Sequence, residues 1–196
     1  MIVRRCWETT DAAYNAYHDD EWGRPVADER GIYERLCLEG FQSGLSWLTI
    51  LRKRENFRRA FAEFEPERVA RFGGPDVARM LGDAGIVRHR GKIEAAIENA
   101  RATLALRELG TRLHELVWAY RSDDGGARTA GDWQAETPAS KELSKRLRAA
   151  GFRFVGPTTV YAAMQACGVV NDHVADCHVR AAVEADRQAL VADALA

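Results

Sequence analysis

Apolar positions recur along this chain at the spacing of one helix face. In ERGIYERLCLEGF they fall on Ile32, Tyr33, Leu36 and Cys37. The next stretch, GLSWLTILRKRENFRRAFAEF, continues the period with Leu45, Leu48, Thr49, Phe57 and Phe61. GKIEAAIENARATLALRELG predicts a long alanine-rich helix stopped by Gly110, and ASKELSKRLRAAG another stopped by Gly151. Pro66, Pro75, Pro138 and Pro157 each stand just before such a pattern, in the first turn, where a missing N–H is tolerated. No run alternates with the period of two that a half-buried strand requires. The pattern therefore predicts an all-α fold, one domain over residues 1–196, with its one long loop at 122–133.

Composition narrows the class. The 196 residues are 46% hydrophobic and 29% charged, enough for an ordinary globular core. No apolar run approaches the roughly 20 residues that span a bilayer. The first residues, MIVRRCWETTD, lack the apolar centre of a signal peptide. A cytoplasmic protein is expected. Net charge is -1, from 28 basic and 29 acidic residues, which argues against a protein that coats nucleic acid through bulk charge. A local basic face stays open.

The cysteines lie at positions 6, 37, 167 and 177. In a reducing cytosol they are expected as thiols rather than disulfides. Cys37 and Cys167 sit in apolar patterns and read as small buried hydrophobes. Cys6 and Cys177 sit among polar residues. In VNDHVADCH, His173 and Cys177 are four apart, which on a helix places them on one face. RRCWETTDAAYNAYHDDEWG supplies Cys6 and His18 at the other end of the chain. Two cysteines and two histidines suit a closed tetrahedral zinc site, which would clip the termini together. A chance pairing accounts for the spacing as well, and His178 competes as a ligand.

Two further constellations carry chemistry. LSKRLRAAGFRFVGPTTVYAAMQACG reads as helix, tight link, helix, with Gly156 heading the second. Uncovered N–H groups at such a helix start suit a phosphate, and Arg153, with Lys141, Lys145, Arg146 and Arg148, makes the flank basic. A plain helical hairpin with a solvated basic face fits the same residues. Tyr14, Tyr17 and Trp22 crowd one segment, while Glu39 and Trp47 lie in the next. Aromatics around a carboxylate suit a flat cationic ring. On the residues alone, Trp22 and Trp47 read first as core and Glu39 as a solvated helix end.

Together YHDDEWGRPVADER, LCLEGFQSGLSWLTILRKRENFRRAF, GIVRHRGKIEAAIENARA and LSKRLRAAGFRFVGPTTVYAAMQACGVVNDHV, with Cys177, resemble the bacterial 3-methyladenine DNA glycosylase I family in the same order. The resemblance implies a helix-hairpin-helix glycosylase fold with a structural zinc on Cys6, His18, His173 and Cys177. It implies a base pocket of Tyr14, Tyr17, Trp22, Glu39 and Trp47, with Glu39 the residue that acts on the base. It implies DNA contacts from Leu45, as a wedge, and from Gly156 and Arg153. The expected partner is double-stranded DNA carrying alkylated adenine, and the expected product is free 3-methyladenine, released by a monomer with no membrane involved. Asp172 is expected to cap a helix bearing His173. The competing class is a non-catalytic, zinc-clipped DNA-binding module, which has no need of Glu39 and its aromatics. A broader alkylbase glycosylase differs only in substrate.

Overall fold

A computed structural model describes residues 3–122 and 129–194, and every regular element among them is helical. In chain order these are α1 (Ala12–Asp20), α2 (Glu29–Gln42), α3 (Trp47–Ala60), α4 (Pro66–Val69), α5 (Gly74–Gly82), α6 (Arg90–Glu108), α7 (Leu113–Trp118), α8 (Pro138–Ala149), α9 (Pro157–Ala166) and α10 (Arg180–Ala194). The starts of α1, α2 and α3 are fixed by Asp11, Asp28 and Ser46, whose side chains accept from the N–H groups of Tyr14, Gly31 and Thr49. The four prolines stand in the first turns of α4, α5, α8 and α9. Of the long loop expected at 122–133, residues 123–128 lie outside the described residues. The remainder contains a 3-10 turn at Ala130–Asp132. No described helix is long and apolar enough to cross a membrane.

The centre of the fold is α2, which packs against α3, α6, α7 and α9. Its predicted face, Ile32, Tyr33, Leu36 and Cys37, is buried. So are Leu38, Glu39, Gly40 and Phe41 on the remaining faces, because neighbours cover its C-terminal half on all sides. An amphipathic pattern marks only the side with most apolar residues and misses this enclosure.

The structure corrects two sequence expectations. In α3 and at its end the buried side chains are Trp47, Ile50, Phe57, Ala60 and Phe61; Leu48 and Thr49 are half-buried, and Leu45 precedes the helix and is exposed. His173 and Cys177 do not share a helix. Residues 170–179 form an irregular link with two turns, closed by the Cys177 N–H on the Val174 carbonyl at 2.9 Å and the Arg180 N–H on the Cys177 carbonyl at 3.2 Å, and α10 begins only at Arg180. Asn171, Asp172 and His173 each send their side chains to other elements, which competes with a local helical ladder.

Candidate active site and metal centre

Cys6, His18, His173 and Cys177 converge although they come from both ends of the chain. All four are buried, and their ligand atoms lie within 4.8 Å of one another. Cys6 Sγ is 3.3 Å from His173 Nδ1, and Cys177 Sγ is 3.4 Å from the same nitrogen and 3.5 Å from His18 Nε2. A tetrahedral zinc, with bonds of about 2.3 Å to sulfur and about 2.0 Å to nitrogen, sets sulfur–nitrogen edges of about 3.5 Å. The outer nitrogens settle the tautomers. His173 Nε2 lies 2.9 Å from the Trp22 carbonyl, an acceptor only, so it carries the proton and leaves a lone pair on Nδ1. His18 Nδ1 faces Asp19 at 2.8 Å, leaving Nε2 the lone pair. Arg5 holds that Asp19 carboxyl well below the usual carboxylate range. The Val174 N–H donates to Cys6 Sγ at 3.4 Å. The hydrogen bond with Cys6, followed by those with His173 and His18, lowers the Cys177 thiol and favours a thiolate. Gly23, at φ +81°, leaves room for this arrangement: a Cβ there would stand 3.0 Å from His173 Nε2. The donor set suits a metal. His178 contacts Asp19 from outside at 2.9 Å and is no part of the four.

Beside this centre the aromatics form a connected series. Trp47 meets Tyr17 at 5.2 Å between centroids, Tyr17 meets Tyr14 at 6.4 Å, and Tyr14 meets Trp7 at 5.1 Å. Trp7 continues to Trp22 at 5.0 Å, and Trp22 to Trp133 at 6.0 Å. Trp22 also touches His173 at 4.6 Å, so it forms a wall shared by the pocket and the metal centre. Glu39 is not a solvated helix end: it is only 6% exposed. Burial pushes its carboxyl up to about 8, opposed only by the charge of Arg35. Burial first, and then the Glu39 charge, raise the hydroxyls of Tyr14 and Tyr17. No hydrogen bond from the described residues reaches Glu39. The Trp47 indole N–H is likewise buried without a partner. A buried donor without a partner is costly unless a ligand completes it.

A third set lies on the surface. Gly156 begins α9 with no side-chain cap, and Arg148 is the nearest side chain to a Cβ built there, at 3.5 Å. Asn99 pins the hairpin, accepting from the Arg153 N–H at 2.7 Å and donating to its carbonyl at 3.1 Å, while the Arg153 side chain is exposed. Leu45 is 44% exposed, between Gly44 and Ser46.

Asp172 does not cap a helix. Its carboxylate accepts from the Tyr161 hydroxyl at 2.6 Å and Gln165 Nε2 at 2.7 Å, tying the 170–179 link to α9. Trp7 and Trp133 were not expected in the pocket. Trp7 directly follows a metal-site cysteine, and that adjacency was the available signal. Trp133 lies in a loop whose position no periodicity reveals.

Residues 7–181 match the family model for methyladenine glycosylases. DNA-3-methyladenine glycosylase 1 of Escherichia coli (strain K12) is 48% identical over 179 residues, covering 89% of this chain and 96% of the relative. A crystal structure of 3-methyladenine DNA glycosylase I is similar with a TM-score of 0.85 at 47% identity, covering 89% of this chain and 98% of that one. The Staphylococcus aureus 3-methyladenine DNA glycosylase I, solved for the structural basis of its 3-methyladenine recognition, is similar with a TM-score of 0.85 at 36% identity, covering 88% and 93%.

Proposed function

This chain belongs to the methyladenine glycosylase family, and on that premise we propose that it excises 3-methyladenine from alkylated double-stranded DNA in the cytoplasm, as a monomer, leaving an abasic site and the free base. The observation that carries the assignment of residues is Glu39: a carboxyl only 6% exposed, whose charge acts on the Tyr14 and Tyr17 hydroxyls and which no described residue hydrogen-bonds.

The chemistry follows from charge. A base inside the stack is out of reach, so the nucleotide is flipped out. Adenine alkylated at N3 is cationic while still joined to the sugar, and its departure needs little acid catalysis. The ring faces of Tyr17, Tyr14 and Trp47 attract that cation. With its carboxyl pushed up to about 8, the empty pocket holds Glu39 protonated near neutral pH. An arriving cation favours the carboxylate, which then accepts from the amino edge of the base. Ordinary adenine is neutral and well stacked, so it gains less in the pocket and costs more to extrude.

Around this pocket, α8, the 151–156 link and α9 serve as the helix-hairpin-helix unit, with the Gly156 and Arg153 backbone region taking a DNA phosphate and Leu45 filling the gap left by the flipped nucleotide. Cys6, His18, His173 and Cys177 hold one zinc. Four protein ligands close its coordination, so its part is structural: it fixes the first residues, and with them Trp7 and α1, against the 170–179 link. The test is base-resolved release from methylated duplex DNA. Wild type should release 3-methyladenine. Glu39→Gln, which opposes a donor to the amino edge, should lose about tenfold to a hundredfold in single-turnover rate. A non-catalytic module would release nothing, and an unchanged Glu39→Gln rate would remove that residue from the site.

A further inference from the structure

Lys92 stands in the first turn of α6, where the helix dipole disfavours a cation, and it is only 8% exposed. Its ammonium crosses to the end of α2 and donates to the Phe41 carbonyl at 2.9 Å and the Ser43 carbonyl at 2.5 Å. These carbonyls lie at the negative end of α2, among the groups a helix C-terminus leaves unpaired. No ion pair to Lys92 occurs among the described residues, and burial lowers its pKa. The contact lies two residues beyond Glu39 on one side and two before Leu45 on the other.

The loop held there has little else to hold it. Ser43 and Leu45 return their N–H groups to Gly40 and Gln42 at 3.4 and 2.6 Å. Gly44 takes φ +80° with nothing within 4 Å of a Cβ position, and Ser46 begins α3. Leu45 projects from this four-residue link with its side chain in solvent. A wedge on a link this open resists the DNA stack only as well as the link is anchored.

We propose that Lys92 is the positioning residue that braces the Ser43–Ser46 link, so that Leu45 can hold the stack open while the base occupies the pocket. The inference rests on the reading of Leu45 as the wedge. It predicts a defect confined to steps in which paired, stacked DNA must be opened.

The test compares single-turnover excision of 3-methyladenine from a fully paired duplex with excision of the same lesion inside a short unpaired bubble. Lys92→Met keeps the aliphatic stem and removes both hydrogen bonds. Charged hydrogen bonds of this kind predict about a tenfold to hundredfold loss on the paired duplex. The bubble substrate and the affinity for free 3-methyladenine should stay near wild type. Leu45→Ala should show the same selective loss, and adding Lys92→Met to it should cost little more, since both act through one element. Equal losses on duplex and bubble, or a parallel loss of free-base binding, would make Lys92 a support of the fold or pocket and overturn the proposal. A selective loss in Leu45→Ala without one in Lys92→Met would overturn the Lys92 assignment alone. No selective loss in Leu45→Ala would withdraw the wedge reading and this inference with it.

Discussion

The Cys/His cluster proposed to hold a metal and the aromatic cluster proposed to hold the base meet at Trp22, and both bury polar side chains, yet they treat those groups in opposite ways. In the Cys/His cluster each outward-facing histidine nitrogen has its acceptor: His173 on the Trp22 carbonyl and His18 on Asp19, which in turn accepts from Arg5. Around Glu39, the Trp47 indole N–H is buried without a partner, and no hydrogen bond from the described residues reaches the Glu39 carboxyl, which burial pushes up to about 8. The first arrangement repays its burial within the protein and belongs to stability. The second leaves a donor unpaired in the folded protein, which the proposed function assigns to recognition of the base. Substitutions should therefore divide the two regions by sign as well as by size.

The largest effect is expected in the metal centre. His173→Ala should empty it, and binding of structural zinc in small domains is worth about 10 kcal/mol or more, so cooperative melting should be lost or fall sharply. Metal content and the thermal transition, measured on one preparation, check this. Wild-type melting in a metal-free variant would break the comparison at its stable side.

Glu39→Gln should do the reverse, gaining stability where it loses activity. The folded carboxyl, at about 8, lies above its ordinary value of 4.5. Between those values the folded protein keeps a proton that the unfolded chain has released, so wild-type stability falls as pH rises through that window. The amide has no proton to lose. The variant should match wild type near pH 4.5 and exceed it at pH 8 by roughly 2–5 kcal/mol. Melting curves across that range would show it, and parallel curves would mean that Glu39 is not a strained group.

Gly156→Asp should affect neither region. A Cβ at this position meets only the tip of Arg148, so the fold is expected to stand. A carboxylate where a phosphate approaches the start of α9 should weaken DNA binding about tenfold or more and flatten its salt dependence. Fluorescence anisotropy at several salt concentrations reads both. The smallest effect is expected from Cys37→Ala: unchanged metal content and a stability loss of about 1 kcal/mol, from calorimetry and metal analysis, because Cys37 is core and no ligand.

The helical architecture was legible in the spacing of apolar residues and in the prolines and caps that punctuate it. The metal quartet was legible too, but for a reason that fails locally: His173 and Cys177 meet across a turn, not along a helix face. Spacing of four serves both geometries. Glu39 was harder. Its neighbours in sequence predict one buried face, whereas the enclosure of α2 is decided by α3, α6, α7 and α9, and no window of sequence contains all of them. Trp133 is similar: its indole donates to the Asp172 carbonyl at 2.9 Å, a contact between distant segments that no local pattern encodes. The unpaired indole N–H of Trp47 is visible only in three dimensions.

Titration of free 3-methyladenine, followed by tryptophan fluorescence in wild type and Glu39→Gln, tests the division between recognition and stability most directly. Saturable binding in wild type, weaker by about tenfold or more in the variant even though its fold is the more stable at pH 8, is the predicted result. Equal affinity in both proteins would contradict it, since the carboxyl would then be buried without being the group that reads the base.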